Sequence, residues 1–257
     1  GGRRVTPDQR DILIELTNID RVEALWQRHC QLMEAYGFDR LLYGFTRFMT
    51  PNSLGDPNDF VVLTNHTQAY RKGFVEDGLY RHAPMVRWAL QNEGHCSWQV
   101  LADQLSAGAL DEKAQKVMAF NLHHKVHAGY TISFKSVSSR AKGAISMTTL
   151  PEMSQDDADA IWAEHGSDII LLNNIVHLKI LTLPVPLQNQ NLTPRQREAP
   201  EWVGDGKTMQ DIAQIMGLTQ ATIEKHLRLA RETLNVETTA QAVAKAAFHN
   251  QMYILEA

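Results

Sequence analysis

The chain has 257 residues, room for one large domain or two ordinary ones. Hydrophobic residues make up 44% and charged residues 21%, which fits a soluble globular protein with a real core. Net charge is −4, so no global basic field announces nucleic acid, and any DNA binding must come from a local patch. No apolar run approaches the roughly 18 residues that span a membrane. Gly1-Gly2-Arg3-Arg4 leads into no apolar stretch, so no signal peptide is expected. Cys30 and Cys96 cannot by themselves build a disulfide framework or a zinc site. A cytoplasmic protein without cofactor or metal is expected.

Residues 7–36 read as helical, with Ile12, Leu13, Leu16, Ile19, Val22, Leu25 and Trp26 at three- and four-residue spacing. Residues 40–49 and 60–64 read as strands, as do 130–136 and 143–150. Between these pairs lie helical stretches near 67–76, 84–91 and 110–126. Residues 154–181 form a long final helix. This order predicts an α+β domain over 1–183, an α-β-α sandwich around an antiparallel sheet. Residues 184–191 hold two prolines and a run of four amide side chains, a poor helix and a poor strand, and are expected to be a linker.

Residues 192–257 are helical throughout by pattern, and four helices are expected. Thr193-Pro194 is an N-cap followed by proline at the first helical position. Thr208 caps a short helix over 209–216, which Gly217 ends. Thr219 caps the next helix, with Ile223, Leu227, Ala230 and Leu234 inward. Thr238 or Thr239 starts the last. Two short helices joined by Gly217-Leu218-Thr219 make a helix-turn-helix, whose second helix presents its polar face to the major groove. The outward positions are Gln220, Ala221, Thr222, Glu224, Lys225, Arg228 and Arg231, with Thr208 at the start of the bracing helix. A four-helix module that binds protein is the alternative. It draws on the balance of seven Lys and Arg against eight Asp and Glu in this region.

The string LTPRQREAPEWVGDGKTMQDIAQIMGLTQATIEKHLRLARETLNVETTAQAVAKA resembles the LuxR-type DNA-binding module nearly end to end. Upstream, AYRKGFVEDGLYRHAPMVRWAL resembles the autoinducer-binding domain of quorum-sensing members. Pro84, Trp98 and Gly129 stand at matching positions, and the likeness spans roughly residues 20–180. The resemblance implies a homodimeric transcription regulator with a small-molecule signal and DNA of inverted half-sites as partners. It also implies a ligand pocket at Tyr70, Phe74, Ala83 and Trp98, and His66 lies one turn before Tyr70.

The chain departs from that family at several positions. The family has Trp at Tyr70, Tyr at Phe74 and Asp at Ala83, and the Asp accepts the amide N–H of an acyl-homoserine lactone. Ala83 has no side-chain acceptor, so a standard lactone is not the expected ligand. In the DNA module, Gln196 replaces a usual Glu. Pro200 replaces a core Leu, so the first helix is expected to kink or to start later. An antiactivator or ligand-independent dimerisation partner with impaired DNA binding is the rival reading.

Ser146 and Thr148 alternate with Ile145 and Met147. They are either ligand contacts or hydroxyls of an edge strand facing water. His66 either lines the pocket or is an exposed helix residue. His123, His124 and His127 form H-H-x-x-H, with His123 and His127 expected on one helix face. No glutamate completes a metalloprotease pattern, and surface or packed histidines are expected rather than a metal site. No arrangement points to an enzyme.

Overall fold

The computed structural model describes residues 7–185, 190–250 and 252, in two compact units, Gly1–Lys179 and Ile180–Ala257. Residues 186–189 of the expected linker lie outside the described residues. The first unit runs α1 (Pro7–Asn18), α2 (Val22–Ala35), β1 (Phe38–Thr46), β2 (Val61–Thr64) and α3 (Gln68–Arg71), which continues as a π-helical turn over Lys72–Glu76. A 3-10 turn (Leu79–His82) leads to α4 (Pro84–Gln91), β3 (Gly94–Ser97), α5 (Gln99–Ser106), α6 (Glu112–His123), β4 (Gly129–Ser133), β5 (Lys142–Thr149) and α7 (Gln155–Thr182).

Three expectations are corrected. The helical stretch 7–36 is two helices, because Arg21 is extended (φ −125, ψ 131) after Asn18 and Asp20, residues that compete locally with helical hydrogen bonds. The strand β3 and the helix α5 have no counterpart in the sequence reading, since four residues are too few to show alternation. The helix α6 ends at His123, and Lys125 takes a left-handed turn (φ 58), so His123 and His127 do not share a helix face.

The sheet is antiparallel, in the order β2-β1-β5-β4-β3. Its pleat sends alternate side chains to two different interiors. On one face Tyr43 meets Trp26 of α2, Tyr130 stacks on Trp162 of α7 at 4.0 Å, and Phe134 stacks on His177 at 4.1 Å. Buried polar groups tie this layer together. Asn173 donates to the Ile169 carbonyl at 2.8 Å, so its Oδ1 is left to accept from His29 Nε2 at 2.9 Å. The Tyr43 hydroxyl lies 2.8 Å from His177 Nδ1. The other face carries Leu42 and is covered by a cluster containing Tyr70, Phe74, Met85, Trp98, Leu101 and Val117. This is the sandwich the sequence predicts.

The second unit is all-helical: α8 (Pro194–Gly204), α9 (Met209–Met216), α10 (Gln220–Leu234) and α11 (Thr239–Phe248). Each helix starts on a threonine whose hydroxyl accepts a backbone N–H three residues on: Thr193, Thr208, Thr219 and Thr238. Gln196 keeps the capping box that a Glu would make, accepting from the Thr193 N–H at 3.0 Å. The helix α8 therefore starts where its cap is and runs through a buried Pro200 as one element, contrary to the expected late start. Pro200 has no N–H, so the Gln196 carbonyl loses its helical donor.

Two outcomes follow for stability. Burial holds His29 and His177 down to about 4, because desolvation disfavours imidazolium. Unfolded, both titrate near 6.5 and bind protons that the folded chain refuses. Their contribution is therefore complete above about pH 6.5 and is lost as pH falls toward 4, at up to about 1.4 kcal/mol per pH unit for each ring. Calorimetry across pH 7.5–4.5 should show the melting midpoint falling through this window, and His29→Gln should flatten the fall. For Pro200→Ala, the restored backbone bond contributes about 3 kcal/mol in a regular helix. The lost ring carbons take back about 1.6 kcal/mol. A higher midpoint, by about 1 kcal/mol of stability, is the expected result. An unchanged or lower one would show that the module is built around the proline.

Candidate ligand cavity and DNA-facing helix

A cavity of about 190 Å³ lies between the sheet and the helices α3 to α6. Its floor is the even-numbered face of β1 and β5, with Leu42, Gly44, Ala144, Ser146 and Thr148. Small residues on this face leave the space that larger ones would fill. His66, Tyr70, Phe74, Ala83, Trp98, Ser146 and Thr148 all line it. The strand β5 is the middle one of five, so the edge-strand reading of Ser146 and Thr148 is corrected.

One wall is a ladder of rings. His66 precedes the Thr67 N-cap of α3 and stacks on Tyr70 at 4.1 Å. Tyr70 stacks on Phe74 at 5.4 Å, and its hydroxyl donates to Asn121 Oδ1 at 2.9 Å. Burial first, then the charge of Arg40, holds the His66 imidazole down to about 3, so this ring is neutral. Arg40 itself is committed: it donates to the carbonyls of His124 and Lys125 at the end of α6 and to that of Thr149. It fastens α6 to the sheet and closes this end of the domain.

The floor carries a row of hydroxyls. Trp98 Nε1 donates to Thr131 Oγ1 at 2.9 Å, and Thr131 Oγ1 lies 3.2 Å from Ser146 Oγ. Thr148 is 1% exposed and its hydroxyl has no partner among the described residues. Gly129 allows this arrangement. A Cβ there would stand 2.1 Å from the Met147 carbonyl oxygen and 3.1 Å from the Trp98 ring. Among the cavity residues that escaped the sequence reading are Thr131 and Asn121. Thr131 was within reach, since Gly129, Thr131 and Ser133 alternate with Tyr130 and Ile132 as Ser146 and Thr148 do with Ile145 and Met147. Asn121 shows no pattern of its own.

In the second unit, α9 and α10 meet through Gly217 in the left-handed conformation (φ 65). Ile212, Ile223 and Leu227 are buried beneath them. Gln220, Ala221, Glu224, Lys225 and Arg228 are exposed along α10. Arg228 donates to Glu232 at 3.1 Å, an exposed pair of the kind worth little in water. Three of the candidate residues hold structure as well. Thr208 and Thr222 serve helix starts, Thr208 as the α9 cap and Thr222 by bonding its hydroxyl to that of Thr219 at 2.9 Å. Arg231 donates to Glu224 and to Thr239, each at 2.9 Å, and so joins α10 to α11. Among the described residues no helix is long and apolar enough to cross a membrane.

Residues 21–180 match the autoinducer binding domain family, and residues 190–246 match the bacterial regulatory proteins of the luxR family. The chain is 25% identical over 242 residues to the transcriptional activator protein AnoR of Acinetobacter nosocomialis, covering 93% of this chain and 96% of that one. It is 31% identical over 248 residues to the transcriptional activator protein SolR of Ralstonia solanacearum, covering 93% and 97%. Escherichia coli SdiA has the same fold, with a TM-score of 0.52 over 96% of this chain and 98% of that one, at 18% identity. The protein therefore belongs to the LuxR family of quorum-sensing transcription regulators, in which an autoinducer-binding domain precedes a helix-turn-helix DNA-binding domain.

Proposed function

We propose that this regulator is a cytoplasmic homodimer whose DNA binding is controlled by a small molecule other than a standard acyl-homoserine lactone. The observation that carries this reading is the wall of the cavity, where Ala83 stands and where no Asp or Glu side chain is found among the described residues. A buried amide N–H facing Ala83 would lose its partner at a cost of about 1–3 kcal/mol. His66, Tyr70, Phe74, Trp98, Ser146 and Thr148 are the proposed contacts. AnoR and SolR are named as activators, which favours activation over repression. The antiactivator reading draws on Pro200, and the continuous, fully capped α8 speaks against it. The deciding experiment for the ligand is native mass spectrometry of protein purified from its own host. A co-purified acyl-homoserine lactone would overturn the reading, and a co-purified molecule of another class supports it.

For DNA, Gln220, Lys225 and Arg228 are the proposed readers at the groove, with Thr208, Thr222, Glu224 and Arg231 holding the helix ends and its flank in place. Arg228→Ala should cost about 1–3 kcal/mol of specific binding, the range of a bidentate guanine contact. Lys225→Ala should weaken all sequences alike and lower the salt slope by about 0.9. Electrophoretic shifts at two or more salt concentrations separate the two effects. Absence of any sequence preference in the wild type at low salt would sink the DNA-binding reading.

A further inference from the structure

The cavity floor has hydroxyl protons without acceptors. An indole N–H can only donate, so Trp98 occupies a lone pair of Thr131. The Thr131–Ser146 bond uses one of the two hydroxyl protons of that pair, whichever residue gives it. One proton is left over, and both residues line the cavity. Two residues along β5, on the same face and so roughly 7 Å away, Thr148 adds a second hydroxyl that is buried, lines the cavity and has no partner among the described residues. At the other end of the strand, the Lys142 ammonium donates to the Asn92 carbonyl at 3.0 Å and to the Phe134 carbonyl at 3.3 Å, one more donor on this wall. Among the described residues no carboxylate lines the cavity. Its side-chain acceptors include the lone pairs of the hydroxyls themselves, Asn121 Oδ1, which already accepts from Tyr70, and one nitrogen of the neutral His66 ring.

We infer that the ligand is an acceptor-only molecule, an ester or ketone with two oxygen acceptors set to receive the Thr131–Ser146 proton and the Thr148 proton, and with no amide N–H. This rests on the ligand-controlled reading above and names the chemical class for the same cavity. The physical reason is the two hydroxyl protons left without an acceptor and the absence of a carboxylate. A carbonyl or ester oxygen receives those protons, whereas an amide N–H finds only hydroxyl lone pairs where a charged acceptor would hold it more strongly. Ala83, 5% exposed and lining the same cavity, offers nothing to change that balance.

The test compares two probes that differ at one position: N-decanoyl homoserine lactone, and α-decanoyloxy-γ-butyrolactone, in which an ester oxygen replaces the amide N–H. Titration calorimetry on the full chain should give a dissociation constant at least about tenfold lower for the ester. Thr148→Val keeps the shape, removes the unpartnered hydroxyl and should leave the melting midpoint unchanged or higher. It should weaken the ester by roughly five- to tenfold. Equal or tighter binding of the amide overturns the inference, and so does an ester affinity indifferent to Thr148→Val. Binding of neither probe overturns it too. In that case a non-lactone molecule found with the host-purified protein would still leave the broader reading standing.

Discussion

One strand has to serve two interiors. The strand β5 lies in the middle of the sheet and is covered on both sides, so its alternation cannot be apolar against polar in the usual sense. Ile145 and Met147 fill the layer toward α2 and α7 to 1% and 0% exposure. Gly143 on that same face leaves room for His177, whose ring a Cβ would approach to 2.7 Å. The intervening Ala144, Ser146 and Thr148 are small, and their smallness leaves the cavity. Larger side chains at these positions would turn a binding domain into an ordinary sandwich. The hydroxyls among them turn a hydrophobic hole into one with chemical preference.

Much of this was legible in the residues, for reasons that differ from place to place. The helices of the second unit announce themselves because a threonine at each start satisfies a backbone donor in one chemically readable step. Gly217 likewise marks the one place where the chain turns left-handed between α9 and α10. The strand β5 was legible through its period of two. That period could not say whether its hydroxyls faced water or an interior, because this depends on strand order, set by contacts between residues far apart in sequence. The break at Arg21 was hidden because apolar spacing runs across it without interruption. The aromatic ladder was half visible. Tyr70 and Phe74 lie one turn apart, but the partner of the Tyr70 hydroxyl, Asn121, lies 51 residues away.

The proposed DNA-facing helix places its cations differently, within a module of net charge −1. Arg231, the most enclosed of its three cations, is spent on Glu224 and Thr239 and fixes α10 against α11. Arg228 has a neighbour, Glu232, that holds its guanidinium in place without desolvating it. Phosphate or guanine can compete for that guanidinium at small cost, since an exposed pair contributes about 0–1 kcal/mol. Local geometry, not overall charge, then decides what the helix touches. On the proposed reading, acidic residues around it weaken attraction to phosphates of any sequence and leave more of the discrimination to base contacts.

The cavity also bears on stability. In engineered cores an unfilled volume costs about 24 cal/mol per Å³. The cavity here, of about 190 Å³, is only partly enclosed, so the figure for a sealed void is a ceiling on what filling it returns. Under the proposed ligand control, a molecule that fills the space and meets the Thr148 hydroxyl stabilises the folded chain by linkage. The helices α3 to α6 are tied to one another and to the sheet by several long-range polar bonds: Tyr70 to Asn121 within the layer, Arg40 to the end of α6, Ser133 to the Ala89 carbonyl of α4, and Trp98 at the start of α5 to Thr131. The opposite layer has its own network, with His29 bonded to Asn173, Asn173 to Met147, and Tyr43 to His177. The two layers are thus bonded through separate sets of partners, and under the proposed ligand control the layer that a ligand touches is that of α3 to α6.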